Sequence, residues 1–370
     1  MDRKERTLYS RREFGKLALA AVPAVGILAD SKMLFAQAKP NSVFGGVRVG
    51  VIAPYSFNVE TPDVDAILKA LIKDNISEVE LQNSAVEAYA GAPAPPARGA
   101  RAGGAAPAAG AAPAGGAAPA AGGAAGRAGA PAPARGRAAQ TPEQIAAQRD
   151  FDTKMSVWRM GVPMSKFEAL RKMYNDAGVR IDAYRITLTD EMLDDEFDYC
   201  FNAARALGAD QVTMELPDIM GVPSNVHLAL TKRIGAFAAK HKIAAGYHAH
   251  LQSTPTLWDV AMGQSPYNKA QIDIGHYTAA KNGGPTTLLA LIRRHHDQIA
   301  SIHLKDRKVN EGPNVPWGQG DTPIKQVLQL MKTEKYTFPA FIELEYPVPE
   351  GSTRIAEVAK CIAYAKAALA

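Results

Sequence analysis

Short apolar or β-branched runs recur along the chain, and most are followed by a stretch whose apolar positions return every three or four residues. The runs cover residues 47–52, 77–81, 180–187, 211–216, 244–250, 271–275, 300–304 and 341–345. The intervening stretches at 64–74, 165–177, 191–207, 224–240, 287–296, 324–333 and 355–368 carry the helical period, and a shorter one lies at 256–262. These periods predict strands alternating with amphipathic helices. Asn75, Gly178 and Gly208 stand just before a strand, where a helix C-cap favours a residue tolerant of left-handed backbone. Eight strands with helical crossovers predict an α/β chain folded as a (β/α)8 TIM barrel. An open doubly wound sheet is the competitor, but no G-x-G-x-x-G follows the first strand.

Two segments break the alternation. Residues 88–140 are almost wholly Ala, Gly and Pro with scattered Arg. Such a stretch buries too little apolar side chain to offset its ordering entropy, so a disordered insert after strand two is expected. Residues 1–38 run from a basic segment through the uncharged apolar run 17–29 to Ala36-Gln37-Ala38, the order of an export signal. Arg11-Arg12 with Phe14 and Lys16 resemble a twin-arginine signal, although Gly15 stands where Leu is commoner. Thirteen apolar residues are too few to span a bilayer of ~30 Å. The expectation is a signal peptide at 1–38, one barrel domain from 39–87 and 141–370, and an insert at 88–140. The destination is periplasmic or exported, with no stable membrane insertion after cleavage.

The net charge of +5 belongs to these appendages: the first 38 residues carry +3 and the insert +5, leaving −3 on the barrel. An acidic body opposes a nucleic-acid partner, which requires a basic surface on the fold itself. With only Cys200 and Cys361, a disulfide scaffold and a Cys-based zinc cluster are both excluded. Both are expected as buried thiols. His227, His241, His295 and His296 fall on helices and are expected to be solvated.

In a barrel the chemistry collects where the strands end. Those ends read Glu80 on strand two, Tyr184 and Arg185 on three, Glu215 on four, and His248 and His250 on five. Strand six ends in Asp273 and His276, strand seven in His303, Lys305 and Asp306, and strand eight in Glu343 and Glu345. Strand residues two apart face the same way. Charged groups converging from four successive strands must be paired or bind a cation. Imidazole with carboxylate suits Mn²⁺, Co²⁺, Zn²⁺ or Fe²⁺ better than Ca²⁺.

Four segments in order resemble the sugar phosphate isomerase/epimerase family with its xylose isomerase-like barrel: Gly246-Tyr247-His248-Ala249-His250, Ile272-Asp273-Ile274-Gly275-His276, Ile302-His303-Leu304-Lys305-Asp306-Arg307 and Ile342-Glu343-Leu344-Glu345-Tyr346. Gly318-Gln319-Gly320-Asp321 resembles its G-x-G-D loop, with Gln319 where Glu is usual. The resemblance implies one divalent metal held from strands five to eight by Glu, Asp, His and Glu, positions that fall on His248, Asp273, His303 and Glu343. His248 replaces the family's strand-five Glu, which in related epimerases is one of two catalytic bases. Symmetric two-base epimerisation is therefore in question, and Glu215 or Glu345 is considered as base.

The expected activity is a metal-dependent sugar isomerase or epimerase working through a metal-stabilised enediolate on a free or keto sugar. Glu345, Glu215 and Glu343 are the candidate catalytic carboxylates, with Glu343 also favoured over Glu345 as ligand. His250, His276, Lys305 and Asp306 are candidates for substrate contact, as are Trp158 and Arg159, for which packing is the alternative. The partner is a small-molecule sugar, and homo-oligomerisation is left open. Three other readings remain: β-elimination from a keto-glycoside in the same site, a non-catalytic sugar-binding barrel, and an endonuclease-like enzyme acting at abasic DNA.

Overall fold

A computed structural model describes residues 39–57, 63–96, 141–218 and 226–370. The expected signal peptide and residues 97–140 of the expected insert lie outside the described residues. Eight parallel strands close into a barrel: β1 Val47–Ala53, β2 Glu78–Gln82, β3 Arg180–Arg185, β4 Gln211–Glu215, β5 Ala244–His248, β6 Asn268–Asp273, β7 Ile299–Leu304 and β8 Ala340–Ile342. Each pairs with its neighbours in sequence, and β1 closes the ring on β8 with Val49 opposite Ala340 and Val51 opposite Ile342. This is the expected TIM barrel. A two-residue strand, Val43–Phe44, folds back antiparallel on β1.

The period of two along each strand separates two environments. Val79 and Leu81, Val212 and Met214, Ala245 and Tyr247, Ile272, and Ile302 and Leu304 are all buried in the main hydrophobic core. The alternate positions carry Glu78 and Glu80, Gln211 and Thr213, Gln271 and Asp273, and Ser301 and His303, which are buried but polar. These polar residues hydrogen-bond one another inside the ring. Ser301 Oγ donates to Gln211 Oε1 at 3.0 Å, and Gln271 Nε2 donates to Ser301 Oγ at 2.9 Å and to Glu80 Oε2 at 3.0 Å. A register shift between Val79 and Glu80 lets β3 place one extra residue against β2. Such a bulge changes which side chains face inward along the rest of a strand. Below it Asp182 meets Arg48 at 2.6 Å, near the N-terminal ends of the strands, and above it Arg185 meets Glu215.

Helices clothe the outside. Asn75, Gly178 and Gly208 adopt positive φ as expected, and Lys242 and Lys335 do so at equivalent helix ends. The helix Asn83–Tyr89 runs two residues into the stretch expected as insert. The helix Pro142–Gly161 was not foreseen, because its apolar residues do not recur on one face and only Met155 is buried. Its start is nonetheless well marked: Thr141 and Gln144 form a capping box, with Pro142 in the first turn. Both cysteines are buried and unpaired, as expected. His241 and His295, expected to be solvated, are instead buried. His241 stacks on Phe201 and contacts Asp198 at 2.6 Å, and His295 contacts Asp259 at 3.0 Å. Among the described residues, no helix is long and apolar enough to cross a membrane.

Asp74, at the C-terminal end of the helix Val64–Lys73, is buried with Oδ2 lacking a partner. Burial raises its pKa to about 6, against a smaller opposing effect of Lys73. Its proton is thus held more tightly in the folded chain than in the unfolded one. Stability from this site is fully present below pH ~4 and is lost as the pH rises through about 6. Asp74→Asn is expected to leave stability unchanged at pH 4 and to add about 1–2 kcal/mol at pH 8, as read by urea denaturation at the two pH values.

Candidate metal centre

β5 to β8 deliver four buried side chains to one point. Donor atoms of His248, Asp273, His303 and Glu343 all lie within 4.8 Å of one another. Their placement follows from where each strand stops. β5 ends on His248 and β6 on Asp273, which caps the following helix, Ile274–Ala279, by accepting the His276 N–H on Oδ1 at 2.7 Å. That bond fixes the carboxylate so that Oδ2 faces the cluster, 3.0 Å from Lys305 Nζ. β8 is shorter than expected and ends at Ile342, so Glu343 and Glu345 follow it as extended chain. Glu343 belongs to the buried cluster, whereas Glu345 lies outside it and is partly exposed.

His303 stands between two carboxylates, with Nδ1 2.7 Å from Glu343 Oε2 and Nε2 2.7 Å from Glu80 Oε2. Burial opposes charge on this ring, but the two carboxylates outweigh it and push its pKa up to about 10. Lys305, almost fully buried, reaches Glu345 Oε2 at 2.6 Å and Glu343 Oε2 at 3.2 Å. Burial raises the pKa of Glu343, and Lys305 and His303 reverse this, holding it well below the usual carboxylate range. His248 behaves in the opposite way. Burial first, and the neighbouring His303 next, keep it neutral, with its pKa well below the ordinary imidazole value.

The donor set fits a divalent cation. Ligation takes ionised carboxylate and neutral imidazole, so His303 would give up a proton on binding a cation, and two nitrogens with two oxygens suit the transition metals named above. A buried atom of the cluster, His248 Nδ1, also lacks a hydrogen bond. Buried polar atoms are rarely left so, and an unplaced ion is one of the standard reasons.

Around the cluster, the other expected residues divide. Glu345 accepts from Tyr55 Oη at 2.6 Å and from Asn314 Nδ2 at 3.2 Å. Glu215 and His250 lie at the rim, 3.7 Å apart, and Glu215 pairs with Arg185. His276 is buried, with Nε2 2.9 Å from Lys305 Nζ and Nδ1 2.7 Å from Arg307 Nη1. Both neighbours only donate, and burial with the Lys305 charge lowers the pKa of His276 to about 2. Its ring is therefore taken up by the protein, and a substrate would meet it only through rearrangement.

Three expected substrate contacts are engaged by the protein itself. Asp306 is buried, and its carboxylate accepts backbone N–H bonds from Gly318 at 2.8 Å, Gly320 at 2.9 Å and Thr322 at 3.3 Å. It shapes the Gly318-Gln319-Gly320-Asp321 loop, because the alternation of β7 ends at Leu304 and no longer directs its side chain. Trp158 packs edge-on against Tyr199, and Arg159 pairs with Glu87 at 2.9 Å and Glu196 at 3.4 Å. These contacts fasten the helix Pro142–Gly161 to its neighbours. Tyr55 and Arg307 were not singled out as site residues. Each lies beyond the end of its strand, where periodicity carries no information. Glu80 was noted at a strand end but was given no role.

The chain was compared with known proteins. A family model described as xylose isomerase-like TIM barrel matches residues 146–365. Among solved structures, an L-ribulose 3-epimerase is 10% identical, with a TM-score of 0.53 over 87% of this chain and 94% of that one. A xylose isomerase domain protein from Alicyclobacillus acidocaldarius is 16% identical, with a TM-score of 0.52 over 87% of this chain and 99% of that one. The probable 3-DHS dehydratase AsbF from Bacillus anthracis is 10% identical, with a TM-score of 0.51 over 86% and 99%. At these identities the likeness is one of fold. No curated protein matches the chain.

A Cβ added to Gly320 would lie 1.9 Å from Asp306 Oδ1. Gly320→Ala is therefore expected to push the buried carboxylate off its three N–H donors and to cost about 2–4 kcal/mol. Equilibrium denaturation beside wild type checks this, and an unchanged midpoint would remove Asp306 from its loop-shaping role.

Proposed function

Because the chain belongs to the xylose isomerase-like TIM barrel family, we propose that it is a divalent-metal-dependent sugar isomerase or epimerase acting on a free or keto sugar. The observation that carries this reading is the buried set of His248, Asp273, His303 and Glu343 at the C-terminal ends of four successive strands, with the partly exposed carboxylate of Glu345 beside it. These four residues would hold the cation, which when bound supplies Lewis-acid polarisation and a template for a carbonyl and its neighbouring hydroxyl.

Glu345 is the base. Lys305 outweighs the effect of burial and keeps its pKa lowered, so it is ionised, and its partial exposure leaves it open to a substrate C–H. The Tyr55 hydroxyl on Oε1 and the Asn314 amide on Oε2 aim the carboxylate. A proton taken beside a carbonyl leaves negative charge on the substrate, and the buried Lys305 ammonium next to Glu345 stabilises that charge. Return of the proton to the adjacent carbon isomerises the sugar. Epimerisation needs a proton donor on the opposite face, and Glu215 with His250 at the rim is the available pair.

A second reading, β-elimination from a keto-glycoside, is favoured by His248. With an imidazole at the end of β5, the cluster has one accessible carboxylate beside it, and elimination needs only one base at the acidic carbon. The twin-arginine segment supports a substrate other than a sugar phosphate, since phosphorylated sugars stay in the cytoplasm.

Asp273→Ala and His303→Ala are each expected to lose bound metal and turnover together, measured by elemental analysis and by solvent deuterium incorporation into candidate keto sugars. Full metal content in either variant would sink the ligand assignment. Glu345→Gln should keep the metal and lose about 10²–10⁴-fold in deuterium exchange. An unimpaired exchange rate in that variant would move the base to Glu215.

A further inference from the structure

Glu80 reaches the cluster from across the barrel. It is fully buried on β2, three strands round the ring from β7, and donors from three other strands converge on it. Thr213 Oγ donates to Oε1 at 2.7 Å, Gln271 Nε2 donates to Oε2 at 3.0 Å, and Arg185 Nη1 lies 3.7 Å from Oε1. His303 Nε2 completes the set at 2.7 Å from Oε2. Glu80 is not part of the donor cluster, so this contact occupies Nε2 on the side of the ring away from it. That leaves His303 Nδ1 as the atom turned toward Glu343 Oε2, 2.7 Å away, on the side of the cluster.

Resting on the metal reading above, we propose that Glu80 is a positioning residue that makes Nδ1 the ligand atom of His303. It never touches the cation. It fixes the ring's orientation and tautomer from behind, and it is held still by Thr213 and Gln271 so that the ring cannot turn. Ligating imidazoles generally need such a partner on the other nitrogen, and its loss costs about 10–100-fold in metal affinity with every ligand still present. The signal for this role is tertiary. Glu80 and His303 are 223 positions apart in the chain.

The test uses the full chain stripped of metal, with Co²⁺ as probe, its affinity measured by chelator competition and its visible absorption band recorded. Glu80→Leu is expected to bind Co²⁺ about 10–100-fold more weakly and with an altered band, because His303 is free to reorient. Glu80→Gln should restore affinity most of the way, since its carbonyl can accept the Nε2–H while its amide donates to Thr213. Asp182→Asn, which removes an equally buried carboxylate near the other end of the barrel, should lower thermal stability and leave Co²⁺ binding unchanged.

A folded Glu80→Leu protein with wild-type affinity and an unchanged band would overturn the proposal and leave Glu80 as interior packing. If Glu80→Leu does not fold, Thr213→Val carries the test, because it removes one support of Glu80 without touching His303. A weaker affinity there supports the positioning role, and an unchanged affinity overturns it. Failure of the wild-type chain to bind any divalent cation would instead overturn the metal reading beneath it.

Discussion

The barrel is lined with hydrogen-bonding groups, so every interior side chain must find a partner inside the ring or bind something that supplies one. Buried polar groups without partners cost about 1–3 kcal/mol each, and charged ones cost more. The interior meets this demand with a column of side chains that begins with Arg48, Glu78 and Asp182, passes through Gln211, Ser301 and Gln271, and reaches Glu80 and His303. The lower part is tied together by hydrogen bonds and ion pairs. The upper part is acidic, with Glu80, Asp273, Glu343 and Glu345 facing Lys305, Arg185 and His303.

This arrangement accounts for how two neighbouring imidazoles differ. His248 and His303 are both buried, with ring centroids 4.8 Å apart, yet one is held neutral and the other charged. The difference lies in their partners: His303 touches two carboxylates at 2.7 Å, and His248 has a bare Nδ1. Glu343 and Glu345 divide in the same manner. Both follow the same short strand, but one is buried against His303 and the other reaches Tyr55 and Asn314 at the mouth. In the proposed reading, cation binding and proton transfer fall to these two residues, two positions apart.

The loop after β7 shows how a motif can resemble a substrate site while serving architecture. Asp306, the two glycines of Gly318-Gln319-Gly320-Asp321 and the following Thr322 lock together through three backbone N–H bonds. This leaves Lys305, one residue earlier, to point into the barrel. Arg307, one residue later, braces His276 and the Gly312 carbonyl. Three consecutive residues thus do three different jobs.

Much of this was legible in the chain because the side-chain period of a strand is a local property. Alternation identified the eight strands and the polar residues at their ends, and the family resemblance pointed among these to His248, Asp273, His303 and Glu343. Asn75, Gly178 and Gly208 marked the helix ends for an equally local reason, the cost of left-handed backbone. Periodicity lost its hold where strands ended. Glu343 was favoured over Glu345 without a local reason, Asp306 was given a substrate-binding role, and Tyr55 and Arg307 were not singled out. The helix Pro142–Gly161 escaped because its packing face is made by Trp158 and Arg159 against Tyr199, Glu87 and Glu196, not by an apolar stripe. Only closure of the ring could bring Glu80 on β2 to His303 on β7, since contact across a barrel depends on strand register and on a bulge beside Asp182 that no local pattern encodes.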